Sequence, residues 1–326
     1  MKCNKKSVSG FEEGTRENVF LRQILINTKK PMSRWYITAV CFKMKKYLIV
    51  LSTLVLFAFS SCTKIMLSGN DITKEFIIDG SYTELCVENA FEVTVSDAVS
   101  QITVTTDEKV MPKVRVEKKG DKLRIYLRPL TVNVGMDLKV ILPFNEDLKS
   151  VELSGASEFH SEYALMSKNV EVGLSGASEF YCDIDADEVD VDISGASNYY
   201  GSINADKIDM ELSGASNIES EFSAIELDLN LSGASDATLK GLIDELKIEL
   251  SGASNIVKQV VGGEYTLVCD HCEGTMSGAS EAYIHCDGRI CVDLSGDSHL
   301  HYTGDGISSG CGSTSGGSSI IGPEHP

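Results

Sequence analysis

A four-residue segment, Ser-Gly-Ala-Ser, recurs throughout the second half of the chain and constrains the fold more than any other feature. We call this segment the tetrad. Seven intact copies begin at Ser154, Ser175, Ser194, Ser213, Ser232, Ser251 and Ser277, and a variant, Ser-Gly-Asp-Ser, begins at Ser295. These starting positions are almost evenly spaced, except for one longer interval between Ser251 and Ser277. Near-constant intervals of this length are typical of repeat proteins, in which each repeat stacks on its neighbours.

Apolar and polar residues alternate on both sides of the tetrad. The residue before each copy is Leu, Ile or Met, and the residue three before its first serine is apolar in every copy except at Gly274. After each copy a polar residue is followed by an apolar one, as at Glu158 and Phe159. Alternation with a period of two predicts β-strands with one buried face. A propeller blade takes ~40 residues, so the shorter period here fits one coil of a β-helix.

These patterns predict an all-β fold in which residues 151–302 form a β-helix, a solenoid of stacked coils. Residues 63–150 contain further alternating stretches, and we expect a β subdomain that supplies the opening coils and covers the first edge, because open sheet edges invite aggregation. Within it, Asn89-Ala90-Phe91 is similar to the tetrad and the apolar residue after it. The Gly/Ser-rich residues 303–326 are expected to form a flexible tail.

The N-terminal segment has the features of an export signal. Lys45 and Lys46 precede an apolar run from Tyr47 to Phe59, and small residues then lead to Cys62. This run is short of the ~20 residues that span a bilayer, and its order is that of a secretory signal. The cysteine after the small residues resembles a bacterial lipobox, so we predict a lipoprotein signal peptide at 44–61 and a lipid on Cys62. Residues 1–43 are then an over-extended gene start.

Charge is distributed unevenly along the chain. Residues 1–61 contain 11 Lys/Arg and 3 Asp/Glu, which leaves 18 basic and 45 acidic residues in the remainder. A chain that acidic repels phosphate backbones, which excludes nucleic acid as a partner. The regularly placed carboxylates are typical of a solvated strand face that also discourages association between sheet edges.

The lipobox, the FEVTV stretch at 91–95, the segments KLRIYL at 122–127 and LKVILP at 138–143, and the serial LSGAS coils resemble the auto-transporter adhesin head domain, or GIN domain, of Bacteroidota envelope proteins. The resemblance covers roughly 74–300. It implies a right-handed, single-stranded β-helix and supplies no catalytic residues. It also implies a location in the cell envelope, as an outer-membrane lipoprotein that faces the periplasm or the surface.

Four cysteines lie close together in sequence near the C-terminal end of the repeats, namely Cys269, Cys272, Cys286 and Cys291. In an oxidising envelope they could form a disulfide. They could instead be buried thiols, because Cys272 falls at a position that is apolar in other coils, such as Leu246. A metal site is the third possibility, although the second Cys-x-x-Cys that would strengthen it is missing. The long interval between Ser251 and Ser277, which contains Cys269 and Cys272, is the favoured place for a specific feature.

A second candidate site is a column of polar residues one position after the tetrad, flanked by aromatic residues. Asn ladders along a stack are usually structural, but amides beside aromatic rings can also contact sugars. The predicted ligand face consists of Asn198, Tyr199, Asn217, Asp236 and Asn255. The tetrad serines are interpreted as turn residues, because a catalytic serine needs a single placed base and these recur.

We therefore predict a non-enzymatic, lipid-anchored envelope protein, an adhesin or scaffold that presents an acidic β-helix surface. Two alternatives stay open, a glycan-binding or glycan-cleaving β-helix protein and an envelope metal-binding protein that uses the Cys269–Cys291 cluster. The expected partners are the membrane, through the N-terminal lipid, and a cell-surface or glycan ligand. No cofactor is predicted.

Overall fold

The computed structural model describes residues 63–64, 67–128, 131–132, 136–261, 264–308 and 311–323, which belong to one compact unit beginning at Thr63. The predicted gene-start segment 1–43, the signal peptide 44–61 and the lipid site Cys62 lie outside the described residues. The only helical element described is a single 3-10 turn at Met111–Lys113. No helix in the described part of the chain has the length and apolarity needed to cross a membrane.

Short strands build the region before the first tetrad. In chain order they are β1 Thr63–Lys64, β2 Asp71–Phe76, β3 Glu84–Val87, β4 Glu92–Ser96, β5 Ile102–Asp107, β6 Val114–Lys119, β7 Lys122–Leu127, β8 Thr131–Val132 and β9 Lys139–Pro143.

The repeat region and the end of the chain contain long strands of ten to fifteen residues and shorter ones between them. They are β10 Ser150–Leu153, β11 Glu158–His160, β12 Leu165–Leu174, β13 Glu179–Tyr181, β14 Ile184–Ile193, β15 Asn198–Leu212, β16 Asn217–Leu231, β17 Asp236–Leu250, β18 Asn255–Ile256, β19 Val260–Val261, β20 Glu264–Tyr265, β21 Leu267–Met276, β22 Glu281–Leu294, β23 His299–Thr303 and β24 Ser319–Ile321.

Repeat strands pair in parallel with the equivalent strand of the next coil, so the predicted all-β solenoid is confirmed. Residues at the same position of each repeat are direct partners, as in the pairing of β15 with β16 and of β16 with β17. The inward residues of each strand are buried and the outward ones are partly or fully exposed. Inside, the rings of Phe159, Phe180 and Tyr199 stack with centroid separations of 5.3 and 5.2 Å. The alternation in sequence thus becomes a continuous apolar core along the solenoid.

The tetrad forms a tight corner that stacks from coil to coil. Its glycine has a positive φ, +82° at Gly214, a conformation that side chains with a Cβ rarely adopt. The next amide, that of Ala215, donates to the carbonyl of Gly195 in the preceding coil at 2.7 Å. The last serine is fully buried, and in this corner the hydroxyl of Ser216 donates to the Ser213 carbonyl at 2.7 Å. Each corner therefore satisfies its polar groups within the stack.

The N-terminal β-rich cap combines opening coils with antiparallel strands. β3 pairs in parallel with β10 on one side and with β7 on the other, so the first coils in space are not in chain order. β2 and β9 flank β5 in antiparallel pairs, and β6 forms a hairpin with β7. These antiparallel strands cover one side of the solenoid end, which protects an edge that would otherwise be open.

The tetrad-like segment in this cap differs from the prediction in one position. Asn89 takes the place of the tetrad glycine, with φ +83° and with its backbone directly under Gly155. The register of β4 with β11 makes Val93 the partner of Phe159. Phe91 therefore continues the column of the buried fourth serine and is not the apolar residue that follows the tetrad.

Two irregular segments lie towards the C-terminal end of the solenoid. The extra residues of the long interval between Ser251 and Ser277 form the antiparallel hairpin β19–β20, whereas Cys269 and Cys272 lie on the regular strand β21. The expected flexible tail instead continues the solenoid over its described residues, because β24 pairs in parallel with β23. Within it, Ser-Gly-Gly-Ser at 315–318 is a further corner of the stack, since the fourth serine donates to the carbonyl of the first at 2.7 Å, as in the tetrads.

Candidate functional surface

The outward side of strands β12 to β17 carries aligned carboxylates, which we call the acidic face. Strand register places one column of four carboxylates beside a second column of two. The acidic face consists of Glu171, Asp190, Asp209 and Asp228 in the first column and Asp192 and Glu211 in the second. Parallel strands lie ~4.8 Å apart, so these carboxylates repel one another at short range.

The environment of the acidic face raises the pKa of Asp190. Partial desolvation raises the pKa of this carboxyl above its usual value, and the negative charges of Asp192 and Asp209 raise it further. The next residue along the first column is a cation, Lys247, whose Nζ lies 2.6 Å from Oδ2 of Asp228. This lysine neutralises one end of the column and leaves Asp190 among carboxylates.

A shallow groove of about 450 Å³ runs along the second column of the acidic face. It is lined by Asp192, Glu211 and Asn230 together with the first serines of three tetrads, Ser194, Ser213 and Ser232. The serine of the middle coil, Ser213, is exposed. The groove therefore offers carboxylate acceptors next to hydroxyl groups that recur from coil to coil, a surface suited to an extended, cationic or hydrogen-bonding partner.

The polar column predicted as a ligand face is present. Asn198, Asn217, Asp236 and Asn255 follow one another in register. The amide of Asn217 donates to Oδ1 of Asn198 at 3.0 Å, and that of Asn255 donates to Oδ1 of Asp236 at 2.8 Å. Part of the hydrogen-bonding capacity of the column is therefore used between coils, as in a structural ladder.

Tyr199 does not belong to that face, which corrects the prediction. Its side chain is fully buried, and its hydroxyl donates to the Cys182 carbonyl at 3.2 Å. The reason is that successive side chains of a strand point to opposite faces. Because Asn198 points outward, the side chain of the next residue points into the core. The outward aromatic residue is its neighbour Tyr200, which stacks on Tyr181 with a centroid separation of 4.7 Å.

The predicted cysteine cluster is divided between the inside and the outside of the solenoid. Cys269, Cys272 and Cys286 are buried, and Cys272 is paired with Leu246 in the core column that the sequence indicated. The hydrogen bond that the Cys269 thiol donates to the neighbouring Cys272 raises the pKa of Cys269, and burial raises it further. Neutral, buried thiols of this kind are poor nucleophiles and poor metal ligands.

Cys291 is separate from the three buried cysteines and lies on the outward side of β22. All four cysteines of the predicted cluster are free thiols. In the described ranges, no group of three or more His, Cys, Asp and Glu side chains is arranged to hold a metal ion. The features near Cys291 that sequence reasoning missed are Arg289 and Cys311, whose guanidinium Nε and Sγ lie 3.2 Å apart.

The chain matches the model of a protein family described as "Putative auto-transporter adhesin, head GIN domain" over residues 81–257 and 199–306. These overlapping matches cover more than half of the chain. The chain belongs to this family. Members of the GIN-domain adhesin family are cell-envelope or surface proteins by this description, which agrees with the resemblance stated from the repeats. No curated protein matches the chain significantly.

Solved structures with the same fold come from two Parabacteroides species. A "putative adhesin" from Parabacteroides merdae is 16% identical with a TM-score of 0.55, over 80% of this chain and 99% of its own. A "putative adhesin" from Parabacteroides distasonis is 18% identical with a TM-score of 0.56, over 80% and 98%. A "putative lipid binding protein" from the same species is 19% identical with a TM-score of 0.56, over 80% and 100%. At these identities the likeness shows the GIN-domain solenoid fold.

Proposed function

We propose that this GIN-domain protein is a non-enzymatic, lipid-anchored adhesin or scaffold of the bacterial cell envelope, and that it binds its partner through the acidic face. The observation that carries the proposal is the alignment of Glu171, Asp190, Asp209 and Asp228 in one outward column. An enzyme needs one set of differently placed groups, whereas this surface repeats the same group at each coil.

The electrostatics of this face favour a cationic partner. The pKa of Asp190 is raised first by partial desolvation, and the charges of the neighbouring carboxylates add an unfavourable field in the free protein. A cationic surface would relieve that field on binding, so part of the repulsion stored in the free protein becomes binding free energy. The rigid corners keep the carboxylates at a fixed spacing, which lowers the entropy cost of ordering the surface.

Removing charge from the acidic face is expected to weaken adhesion by about tenfold or more. The variant Asp190→Asn/Asp209→Asn/Glu211→Gln removes three carboxylates without changing side-chain size. Beads coated with residues 63–326 would be tested on epithelial cells and on a panel of matrix proteins, at low and high ionic strength. Because exposed charges are screened by salt, wild-type attachment should also decrease as salt increases.

The control is a variant with the same change of charge elsewhere. Asp187→Asn/Asp206→Asn/Asp244→Asn removes three exposed carboxylates from other outward positions of the repeat coils. The proposal predicts that this control adheres like the wild type. Equal loss in both variants would indicate a general charge effect, and attachment only to a glycan array, or turnover of a polysaccharide, would replace the proposal with the glycan alternative.

Lipid anchoring is tested at Cys62. We expect Cys62→Ala to move the protein from the membrane fraction to the soluble fraction and to remove the acyl mass from its N-terminal peptide. The matched control is Cys86→Ala, which leaves the proposed lipid site intact and should stay membrane-bound. Unchanged partition and unchanged N-terminal mass in Cys62→Ala would show that the lipobox interpretation is wrong.

A further inference from the structure

The outward side of the last coils brings two cysteines and an arginine together. The guanidinium of Arg289 donates from Nε to Sγ of Cys311 at 3.2 Å and from Nη2 to Sγ of Cys291 at 3.8 Å. The same guanidinium therefore contacts both sulfur atoms. Both cysteines are partly exposed, unlike the three buried cysteines of the same region.

Strand register places Cys311 directly over Cys291. Thr314 forms a parallel bridge with Leu294, and Ser313 donates to Oδ1 of Asp293 at 2.7 Å. A Cβ added to Gly312 would lie 2.6 Å from the Val292 carbonyl oxygen. This short distance shows that Gly312 stacks directly on Val292. The same offset in sequence relates Cys311 to Cys291. Neighbouring strands lie ~4.8 Å apart, which is within the Cα separations of ~4.4–6.8 Å that disulfides span.

We propose that Cys291 and Cys311 are a thiol–disulfide site that, on oxidation by an external disulfide, fastens the last coil to the solenoid. In the first step the thiolate of Cys311 attacks one sulfur of the external disulfide, which releases one thiolate and leaves a mixed disulfide on Cys311. In the second step the thiolate of Cys291 attacks Sγ of Cys311 and releases the second thiolate. The protein loses two hydrogens, and the external disulfide is reduced to two thiols.

Arg289 favours the first step by stabilising a thiolate. The hydrogen bonds from Cys291 and Arg289 lower the pKa of the Cys311 thiol below its usual value. The pKa of Cys291 is raised, chiefly because its thiol is hydrogen-bonded to Cys311. Cys311 is therefore the attacking cysteine and Cys291 the resolving one, the arrangement expected where a cation adjoins one of two thiols. Arg289 is a positioning residue in this site.

The bond would act on the least protected part of the solenoid. Beyond Cys311 lie the corner at 315–318 and the short strand β24, which pairs with β23 alone among the strands of the described coils. Terminal strands open locally far more often than central ones. A crosslink between Cys291 and Cys311 closes a loop about one coil long. It limits this opening, because it removes conformational freedom from the opened state.

The site is tested by exposing the purified chain 63–326 to oxidised glutathione at neutral pH, trapping free thiols with iodoacetamide, and mapping peptides by mass spectrometry. We expect one linked pair, Cys291 with Cys311, that is lighter by two hydrogens, while Cys269, Cys272 and Cys286 stay reduced. The C-terminal segment should then be cut by protease at least ~10-fold more slowly than in the reduced protein. That comparison needs no variant.

Variants separate the roles of the three residues. Cys291→Ser and Cys311→Ser should each abolish the linked peptide and the protease protection, whereas Cys86→Ser should keep both. Arg289→Gln should slow disulfide formation and move its rate profile to higher pH, an effect that a purely structural arginine would not have. Absence of the linked peptide, or the same protease rate in oxidised and reduced protein, would overturn the proposal. An unchanged pH profile in Arg289→Gln would overturn the role of Arg289.

Discussion

Replacing Gly214 with alanine is expected to lower the free energy of unfolding by about 3 kcal/mol or more. Gly214 has φ +82°, and a Cβ added there would lie 2.5 Å from the carbonyl oxygen of Gly195 in the preceding coil. That oxygen cannot move away freely, because it accepts a 2.7 Å hydrogen bond from Ala215. The substitution therefore combines backbone strain with a clash that separates two coils. Chemical denaturation followed by far-UV circular dichroism measures the loss.

A second glycine separates the two contributions. Gly120, at the turn between β6 and β7, also has a positive φ, +62°, but a Cβ there would meet nothing within 4 Å. Gly120→Ala should therefore cost only the strain of the left-handed conformation, about 1 kcal/mol. If Gly214→Ala and Gly120→Ala shift the denaturation midpoint equally, close stacking of the corners does not limit the stability of the solenoid.

The repeat region could be predicted closely from the sequence, because its physical rules are local. Alternation with a period of two identifies inward residues without any knowledge of the partner strand. The tetrad interval then aligns the coils, as the pairing of Leu246 with Cys272 illustrates. The structure of a repeat protein is therefore easier to predict from its sequence, since each repeat packs against the neighbouring copy of the same pattern.

The cap could not be predicted in the same way. β3 lies between β7 and β10 in space, although β4, β5 and β6 separate it from β7 along the chain, because the β6–β7 hairpin folds back under the first coil. Asn89 replaces the tetrad glycine, so the corner there lacks the repeated sequence. Pairings between strands distant in sequence leave no periodic mark, and alternation alone does not choose the partner of a strand.

The end of the chain shows the limit of composition as a guide. Gly and Ser are the residues of flexible linkers and also those of the corners in this solenoid. The Ser-Gly-Gly-Ser segment at 315–318 follows the last tetrad, which begins at Ser295, at close to the usual interval. The same interval joins Cys291 to Cys311, so the repeat spacing could have identified the outward cysteine pair, whereas closeness in sequence selected the buried cysteines instead.

The second prediction with a large effect concerns Tyr199. A buried Tyr199 stabilises the fold, so its removal should lower the free energy of unfolding, whereas a tyrosine on an exposed ligand face could be removed with little loss of stability. Tyr199→Ala should lower the free energy of unfolding by about 4 kcal/mol, since it removes a buried ring stacked on Phe180 and leaves a cavity in the core. Tyr199→Phe should cost about 1 kcal/mol, because only the hydrogen bond to the Cys182 carbonyl is lost. Both losses are measured by the denaturation midpoint.

The neighbouring tyrosine is the matched control. Tyr200 has the same side chain one residue later, but it points outward and is only partly buried. Tyr200→Ala removes one member of an exposed aromatic stack and should cost less than about 1 kcal/mol. Similar losses from Tyr199→Ala and Tyr200→Ala would contradict the assignment of the two faces. A loss confined to Tyr199 would mean that any recognition by this part of the solenoid uses Tyr200, Tyr181 and the amide column, with Tyr199 holding them in place from inside.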